Sequence, residues 1–309
     1  MGIQLDAEGW FSVTPEVIAD HVAQRVGSLA ISEAFRRGLP GNLPKSQGII
    51  VMDAFCGCGG NSIAFGKLPF EQISMVVCVD LDRTKLRKAA HNASLYDIPK
   101  DKLIFVECNT LFVMEHCYQN GTLQINQLRS FGVFLPDHVH TEVCEGFLIG
   151  GLGMLPARID AVFMDPPWGG IDYNALGKNG YSLENHMKIK TSGIKKPKLG
   201  VQDDFFDSFG TTGPLSPTDN DDCMNGVDLL TMAASATKSR LVIYDLPRNT
   251  NKSSLGQSAL IAGYRGNIKL EEHYLNGRLK TVTAYMGADY SRVLLCPEEQ
   301  SLKKTDCDV

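Results

Sequence analysis

Long apolar runs are missing from these 309 residues. Nothing approaches the ~18 consecutive apolar residues that a membrane helix needs, which excludes a helical span. The first residues, Met1-Gly2-Ile3-Gln4-Leu5-Asp6, lack a charged segment followed by an apolar one, so no secretory leader is read there. Asp6 also stands where a myristoylation signal wants Ser or Thr. Zinc-ligand spacing is lacking too. Cys56 and Cys58 form C-x-C, not C-x-x-C, and no second Cys or His pair follows, so no metal site is expected. The nine cysteines, an odd number scattered through apolar surroundings, predict reduced thiols packed as small residues. A surplus of positive charge is absent: 30 Lys and Arg against 35 Asp and Glu leave a net charge of −5. A protein that grips long nucleic acid through many phosphates is basic. A large sequence-independent footprint is thereby excluded, whereas recognition of a short, chemically distinct end is not.

What is present is an ordinary globular composition, 43% apolar. Thr14 followed by Pro15 reads as an N-cap with proline at the first helical position, and Val17, Ile18, Val22 and Val26 then recur at helical spacing. Residues 38–48 read as a loop. Gly48 to Asp53 is a continuous apolar run fit for a buried parallel strand. Ile73 to Asp80 predicts a second strand, Arg83 to Ala93 a helix and Leu103 to Val106 a third strand. Strands alternating with helices specify a doubly wound parallel sheet with ligands beyond the carboxyl ends of its strands. Residues 110–158 and 176–225 lose the pattern and read as insertions. The second runs from basic (Lys188, Lys190, Lys195, Lys196, Lys198) to acidic (Asp203, Asp204, Asp207, Asp219, Asp221, Asp222) and is read as a solvated loop. Regularity returns with a helix over Leu229 to Ala236, a strand over Leu241 to Leu246, and an antiparallel pair from Ile268 to Tyr274 and Thr281 to Met286. The expected architecture is one α/β domain over 1–296, a seven-stranded Rossmann-like sheet with two insertions, followed by a disordered tail over 297–309.

Two constellations carry chemistry. Asp53-Ala54-Phe55-Cys56-Gly57-Cys58-Gly59-Gly60-Asn61 places glycines where the first strand turns toward a helix, and glycine lets backbone approach a ligand at positive φ. Asp53 precedes the glycines and can pair with an ammonium, while Asp80, one strand later, can accept both hydroxyls of a ribose; together they favour S-adenosylmethionine over a dinucleotide. Asn109, after the third strand, can accept from an adenine amine or be a plain loop residue. The second constellation is Val162-Phe163-Met164-Asp165-Pro166-Pro167-Trp168-Gly169-Gly170. An apolar strand ending in Asp-Pro-Pro-aromatic is how many methyltransferases hold a planar amine. The prolines stiffen the turn and remove donors, leaving Asp165 and the Pro166 carbonyl to accept from an NH2 group while Trp168 offers a flat π face.

The chain resembles the trimethylguanosine synthase family of RNA cap hypermethylases. The matching stretches are Gly2 to Asp6 through Trp10-Phe11-Ser12-Val13-Thr14-Pro15-Glu16, Val51 to Asn61, Asp165 to Tyr173, Leu246-Pro247-Arg248-Asn249, and Leu275 through Lys280 to Tyr285. This resemblance implies a class I S-adenosylmethionine-dependent methyltransferase fold. It implies cofactor contacts from Thr14, Asp53, Gly57, Gly59, Asn61, Asp80 and Asn109. It places Trp168 against 7-methylguanine, and Tyr173, Arg248, Asn249 and Lys280 toward the cap. The implied reaction is methylation of the 2-amino nitrogen of a 7-methylguanosine cap, with Asp165, Pro166 and Trp168 at the reacting amine. No strong base is required, because the proton can leave after methyl transfer. Implied partners are 7-methylguanosine-capped small RNAs and ribonucleoprotein assembly proteins, for a monomer in the nucleus. Two departures are visible: family members commonly have Ser where this sequence has Asp165, and they carry a helical segment ahead of the Gly-Ile-x-Leu-Asp stretch, whereas this sequence begins at Met1. Two other readings stay open, methylation of an internal guanine or adenine amine in RNA and a catalytically silent cap-binding assembly factor.

Overall fold

The structure, a computed structural model, describes residues 2–7, 9–36, 48–131, 141–191, 223–237 and 240–287. The acidic half and Lys195, Lys196 and Lys198 of the second insertion, and the tail expected over 297–309, lie outside the described residues.

A single helical turn, α1 (Gly9–Ser12), precedes the long helix α2 (Glu16–Arg36). Strand β1 (Ile49–Asp53) leads through the glycine turn into α3 (Gly60–Gly66); β2 (Ile73–Asp80), α4 (Arg83–Ser94) and β3 (Leu103–Glu107) complete the first half. Then come β4 (Glu142–Cys144), β5 (Phe147–Gly150), β6 (Ala161–Met164), α5 (Gly226–Ala236), β7 (Leu241–Pro247), α6 (Lys252–Ile261), β8 (Ile268–Leu275) and β9 (Arg278–Met286). One nine-stranded sheet runs β8-β9-β7-β6-β1-β2-β3-β5-β4. Its neighbours from β7 through β3 pair in parallel, and β9 and β8 close the sheet antiparallel. The seven expected strands are there in doubly wound order, and the first insertion adds the β4–β5 hairpin to the edge beyond β3.

The helix expected after Thr14-Pro15 is there as α2, starting at Glu16 just beyond the stiff Pro15, and the residues ahead of it form the separate turn α1. Alternation along the strands explains the two cores. Val51, Ile243, Phe163 and Tyr285 face α2, α3 and α4, whereas Met52, Val162, Val242 and Ala284 face α5, α6 and the insertion. Both sets are buried, which is why the central strands read as unbroken apolar runs. Each Val, Ile, Met or Phe among them contributes about 1.5–3 kcal/mol on removal from water.

The N-terminal segment runs along α4, where Asp6 pairs with Lys85 and the buried Asn92 holds the backbone of Gln4. Asn92 Oδ1 accepts from Gln4 N at 2.7 Å, while its Nδ2 donates to Gln4 O at 2.8 Å and to Cys58 O at 2.9 Å. One side chain thus fixes both the segment and the glycine turn above the sheet.

Candidate active site

Asp53 ends β1 with 1% of its surface exposed. Its Oδ2 accepts from Ser62 Oγ at 2.6 Å, and its Oδ1 is buried with no partner. Burial pushes the carboxyl up to about 7; the Ser62 hydroxyl opposes that shift and neighbouring Asp165 adds to it. The following turn needs glycine for two different reasons. Gly57 has φ +52 with open space where a Cβ would stand, and its N–H donates to Asp80 Oδ2 at 2.9 Å. Gly59 has φ +91, and a Cβ there would meet Ala89 Cβ at 2.9 Å, so it sets the close packing of α3 on α4. Gly59→Ala is expected to lower stability by about 1–3 kcal/mol, seen as a lower urea midpoint, from left-handed strain plus the clash. An unchanged midpoint would remove that account of Gly59.

Asp80 at the end of β2 is oriented by the Gly57 N–H and by the Asp82 N–H, 2.8 Å from its Oδ1. Burial raises its carboxyl despite both bonds. Asn109 is buried and caps the helical turn Thr110–Phe112, accepting from Leu111 N at 2.8 Å. Its oxygen is therefore already used locally.

Asp165 follows β6 and gathers residues distant in sequence. Its Oδ2 accepts from Thr14 Oγ1 at 3.0 Å and from Asn61 Nδ2 at 3.3 Å, and Asn61 Nδ2 also lies 3.2 Å from Thr14 Oγ1. Thr14 is thus not the helix cap its sequence suggested: its hydroxyl is spent on a carboxylate 151 positions away. Burial first and the nearby Asp245 second hold the Asp165 carboxyl well above the usual range, against the two bonds that favour its ionised form. Pro166 is buried, and Trp168 is half-buried with its Nε1 donating to the Asp245 carbonyl at 3.3 Å. Tyr173 meets the indole edge-on, centroids 5.7 Å apart at 85°.

Asn249 is buried and donates to Tyr173 O at 2.7 Å and Gly177 O at 3.2 Å, fastening the turn after Trp168 to the end of β7. Arg248 is exposed and donates to Asn174 Oδ1 at 2.9 Å. The β7–β9 register ends at Pro247 opposite Thr281, which sets Arg248 and the exposed Lys280 side by side just beyond it. The expected residues therefore form two groups on one edge of the sheet. Thr14, Asp53, Gly57, Asn61, Asp80 and Asp165 line the β1–β2–β6 ends, while Trp168, Tyr173, Arg248, Asn249 and Lys280 line the β6–β7–β9 ends.

Three polar residues here escaped sequence reasoning. Asp245 is 1% exposed, its Oδ1 accepts from Thr283 Oγ1 at 2.7 Å, and Thr283 Oγ1 lies 2.8 Å from His273 Nε2. The one available signal was an acid inside the apolar run Ile243-Tyr244-Asp245-Leu246. Among the described residues, no cluster of His, Cys, Asp and Glu could hold a metal ion, and no helix is long and apolar enough to cross a membrane.

A family model described as RNA cap guanine-N2 methyltransferase matches residues 48–289. The trimethylguanosine synthase of Schizosaccharomyces pombe is 29% identical over 184 residues, covering 60% of this chain and 53% of that protein. That of Saccharomyces cerevisiae is 27% identical over 186 residues, 60% of this chain and 41% of that protein. The chain spans about half the length of the curated relatives it matches. Similar solved structures include a putative RNA methyltransferase from Pyrococcus horikoshii, at 14% identity and TM-score 0.40 over 93% of this chain and 89% of that one. Another is the magnesium protoporphyrin IX methyltransferase of Synechocystis, at 12% identity and TM-score 0.41 over 88% and 81%.

Proposed function

Because the chain belongs to the RNA cap guanine-N2 methyltransferase family, we propose that it methylates the exocyclic 2-amino nitrogen of a 7-methylguanosine RNA cap, using S-adenosylmethionine. What carries this reading is the placement of Trp168 and Asp165 between the two residue groups at the sheet edge, one acidic and glycine-lined, the other basic and aromatic.

The acidic group suits the methyl donor. Asp53 offers a buried carboxylate oxygen with no partner, the counter-charge an ammonium needs, and Gly57 leaves open space where a side chain would intrude. Asp80 keeps acceptor capacity for vicinal hydroxyls, because each oxygen receives a single backbone N–H. When bound, the donor supplies an electrophilic methyl group on a sulfonium.

The second group suits a cap. A 7-methylated guanine is cationic and stacks on an indole more strongly than neutral guanine does, so Trp168 selects the already methylated base. Its indole is pinned at Nε1 by the Asp245 carbonyl and at its flank by Tyr173, which reduces the ordering cost of stacking. Arg248 and Lys280, adjacent and exposed, supply charge-assisted bonds to the cap phosphates. Asp165 and the Pro166 carbonyl accept from the target amine and favour a pyramidal nitrogen with its lone pair free.

The same reading makes the product a 2,2,7-trimethylguanosine cap on small nuclear and nucleolar RNAs and places the protein in the nucleus. The deciding assay is incubation with radiolabelled S-adenosylmethionine and a capped or 7-methyl-capped dinucleotide, with products resolved by chromatography. Labelling of the 7-methylated form alone is expected. Competition by a polynucleotide but not by a cap analogue would move the substrate to an internal RNA amine.

A further inference from the structure

Across the end of the sheet, on the face covered by α2, a row of polar side chains runs through neighbouring strands where apolar residues would ordinarily pack. It starts at Asp165, beyond β6, and continues through Asp245 on β7, Thr283 on β9 and His273 on β8. The register explains the row. Tyr244 pairs with Met164, so Asp245 falls beside Asp165; Asp245 pairs directly with Thr283; and Thr283 pairs with Glu271, two residues from His273. Asp245, Thr283 and His273 are 1%, 0% and 7% exposed, so water does not supply their hydrogen bonds.

The contacts are continuous from Asp245 outward. Thr283 Oγ1 donates to Asp245 Oδ1 at 2.7 Å and stands 2.8 Å from His273 Nε2. The His273 ring meets that of His21 edge-on at 5.6 Å. His21, 45% exposed, lies 3.0 Å from Glu271, which Arg25 also holds at 2.8 Å. On the inner side, Asp245 Oδ2 is buried with no hydrogen-bond partner, and Asp165 follows the neighbouring strand, close enough for the Asp245 charge to raise its carboxyl. Two neighbouring buried carboxylates cannot both stay ionised, and a proton between them satisfies the orphaned oxygen.

We propose that Asp165 and Asp245 hold one proton between them and that Asp245, Thr283 and His273 carry the proton released by amine methylation out to the α2 surface. This rests on the amine-methylation reading above. The balance is simple. As the N–C bond forms, the sulfonium S–C bond breaks and sulfur keeps its electron pair. The nitrogen is left cationic with one hydrogen in excess. Its N–H electron pair returns to nitrogen as the proton passes to the Asp165 carboxylate. From there one proton shifts to Asp245, which then donates to Thr283 Oγ1; the Thr283 hydroxyl turns from Asp245 and gives its own hydrogen to Nε2 of His273 in the tautomer that carries hydrogen on Nδ1. The imidazolium so formed loses the Nδ1 proton on the α2 side and is neutral again. Asp165 touches the amine and is a catalytic residue; the other three act through it.

The groups facing the row are few. Asp165 is met by Asp53, Asp245, Thr14 and Asn61, the Asp245 carboxylate by Thr283, Thr281 and the Leu246 backbone, and His273 by His21, Glu271 and Arg25. Burial lowers the His273 imidazole below its usual value, with Glu271 opposing that shift and His21 and Arg25 adding to it. It is therefore neutral near pH 7 and able to receive a proton.

Thr283→Val keeps the shape and removes the hydroxyl. With 7-methyl-capped dinucleotide it is expected to lower kcat about tenfold or more, with KM for both substrates held, to change the solvent deuterium isotope effect and to shift the kcat–pH profile; Thr283→Ser restores all three. Wild-type kcat and pH profile in both Thr283→Val and Asp245→Asn, with only the melting temperature altered, would overturn the relay and leave a structural row. A second readout needs no substrate. In the unliganded protein, the NMR titration midpoint of the His273 C2 proton is expected to move in Asp245→Asn and Thr283→Val and to return in Thr283→Ser. Identical midpoints in all four proteins would overturn the coupling. Wild-type protein that does not methylate the cap, yet shows these midpoint shifts, would sink the substrate reading and leave the wire standing.

Discussion

Trp168→Ala is expected to lower kcat/KM for 7-methyl-capped dinucleotide by about 100-fold or more while S-adenosylmethionine still binds. Stacking of a base on an aromatic ring contributes about 1–3 kcal/mol. The cation–π contribution from a desolvated cationic ring adds up to about 2 kcal/mol. Their loss alone therefore covers a factor of about 100. Removing the indole also frees the Asp245 carbonyl that anchors Nε1 and takes away the ring against which Tyr173 packs. The aromatic group at the β6–β7–β9 ends then loses both its floor and its flank. Thr14, Asp53, Asn61 and Asp80 contact none of these atoms in the bonds they make, so calorimetric affinity for the methyl donor should persist. Trp168→Phe keeps a π face without the N–H and should fall between alanine and wild type. Retained turnover in Trp168→Ala, with folding checked by circular dichroism, would sink the stacking role.

The fold was legible where burial is two-sided. The runs ending in Asp53 and Asp80 announce parallel strands because both faces are covered, and each ends in an acid that marks the ligand edge. The β4–β5 hairpin was hidden for the opposite reason. It is an edge pair in which Val143 and Leu148 face outward, 67% and 45% exposed, so neither alternation nor a continuous run separates it from loop. Local motifs gave the glycine turn and the Pro-Pro-Trp turn, since those need only neighbours in sequence. Thr14 went astray because a hydroxyl ahead of Pro15 satisfies every local rule for a cap; only the fold brings Asp165 and Asn61 to it. Asp245 was overlooked because strand periodicity records that a position is buried without saying what its side chain meets there.

Asp53 carries a pH dependence that can be read with and without ligand. In the unliganded chain, burial pushes its carboxyl to about 7 from an ordinary 3.8. The folded value is raised, so the folded state binds the extra proton between those limits. The stability it contributes is complete below about pH 3.8 and is lost as pH rises through about 7, a change of about 4 kcal/mol at most. Asp53→Asn removes that slope and should leave the unliganded protein more stable than wild type at pH 8, with little difference at pH 4, as read by urea unfolding at both pH values. Binding reverses the preference. An ammonium beside the orphaned Oδ1 needs the carboxylate, so S-adenosylmethionine must displace the proton. Affinity is then expected to rise about tenfold per pH unit below about 7 and to level off above it, with uptake of ligand releasing about one proton at the acid end. In Asp53→Asn the affinity should fall about 100-fold at pH 7.5, from loss of a buried charge-assisted bond, and its pH slope below 7 should largely vanish. Calorimetry in two buffers of different ionisation enthalpy reads both quantities. A pH slope as steep in Asp53→Asn as in wild type would move the ammonium contact elsewhere, whereas a stability gain at pH 8 without any affinity loss would make Asp53 a strained structural acid.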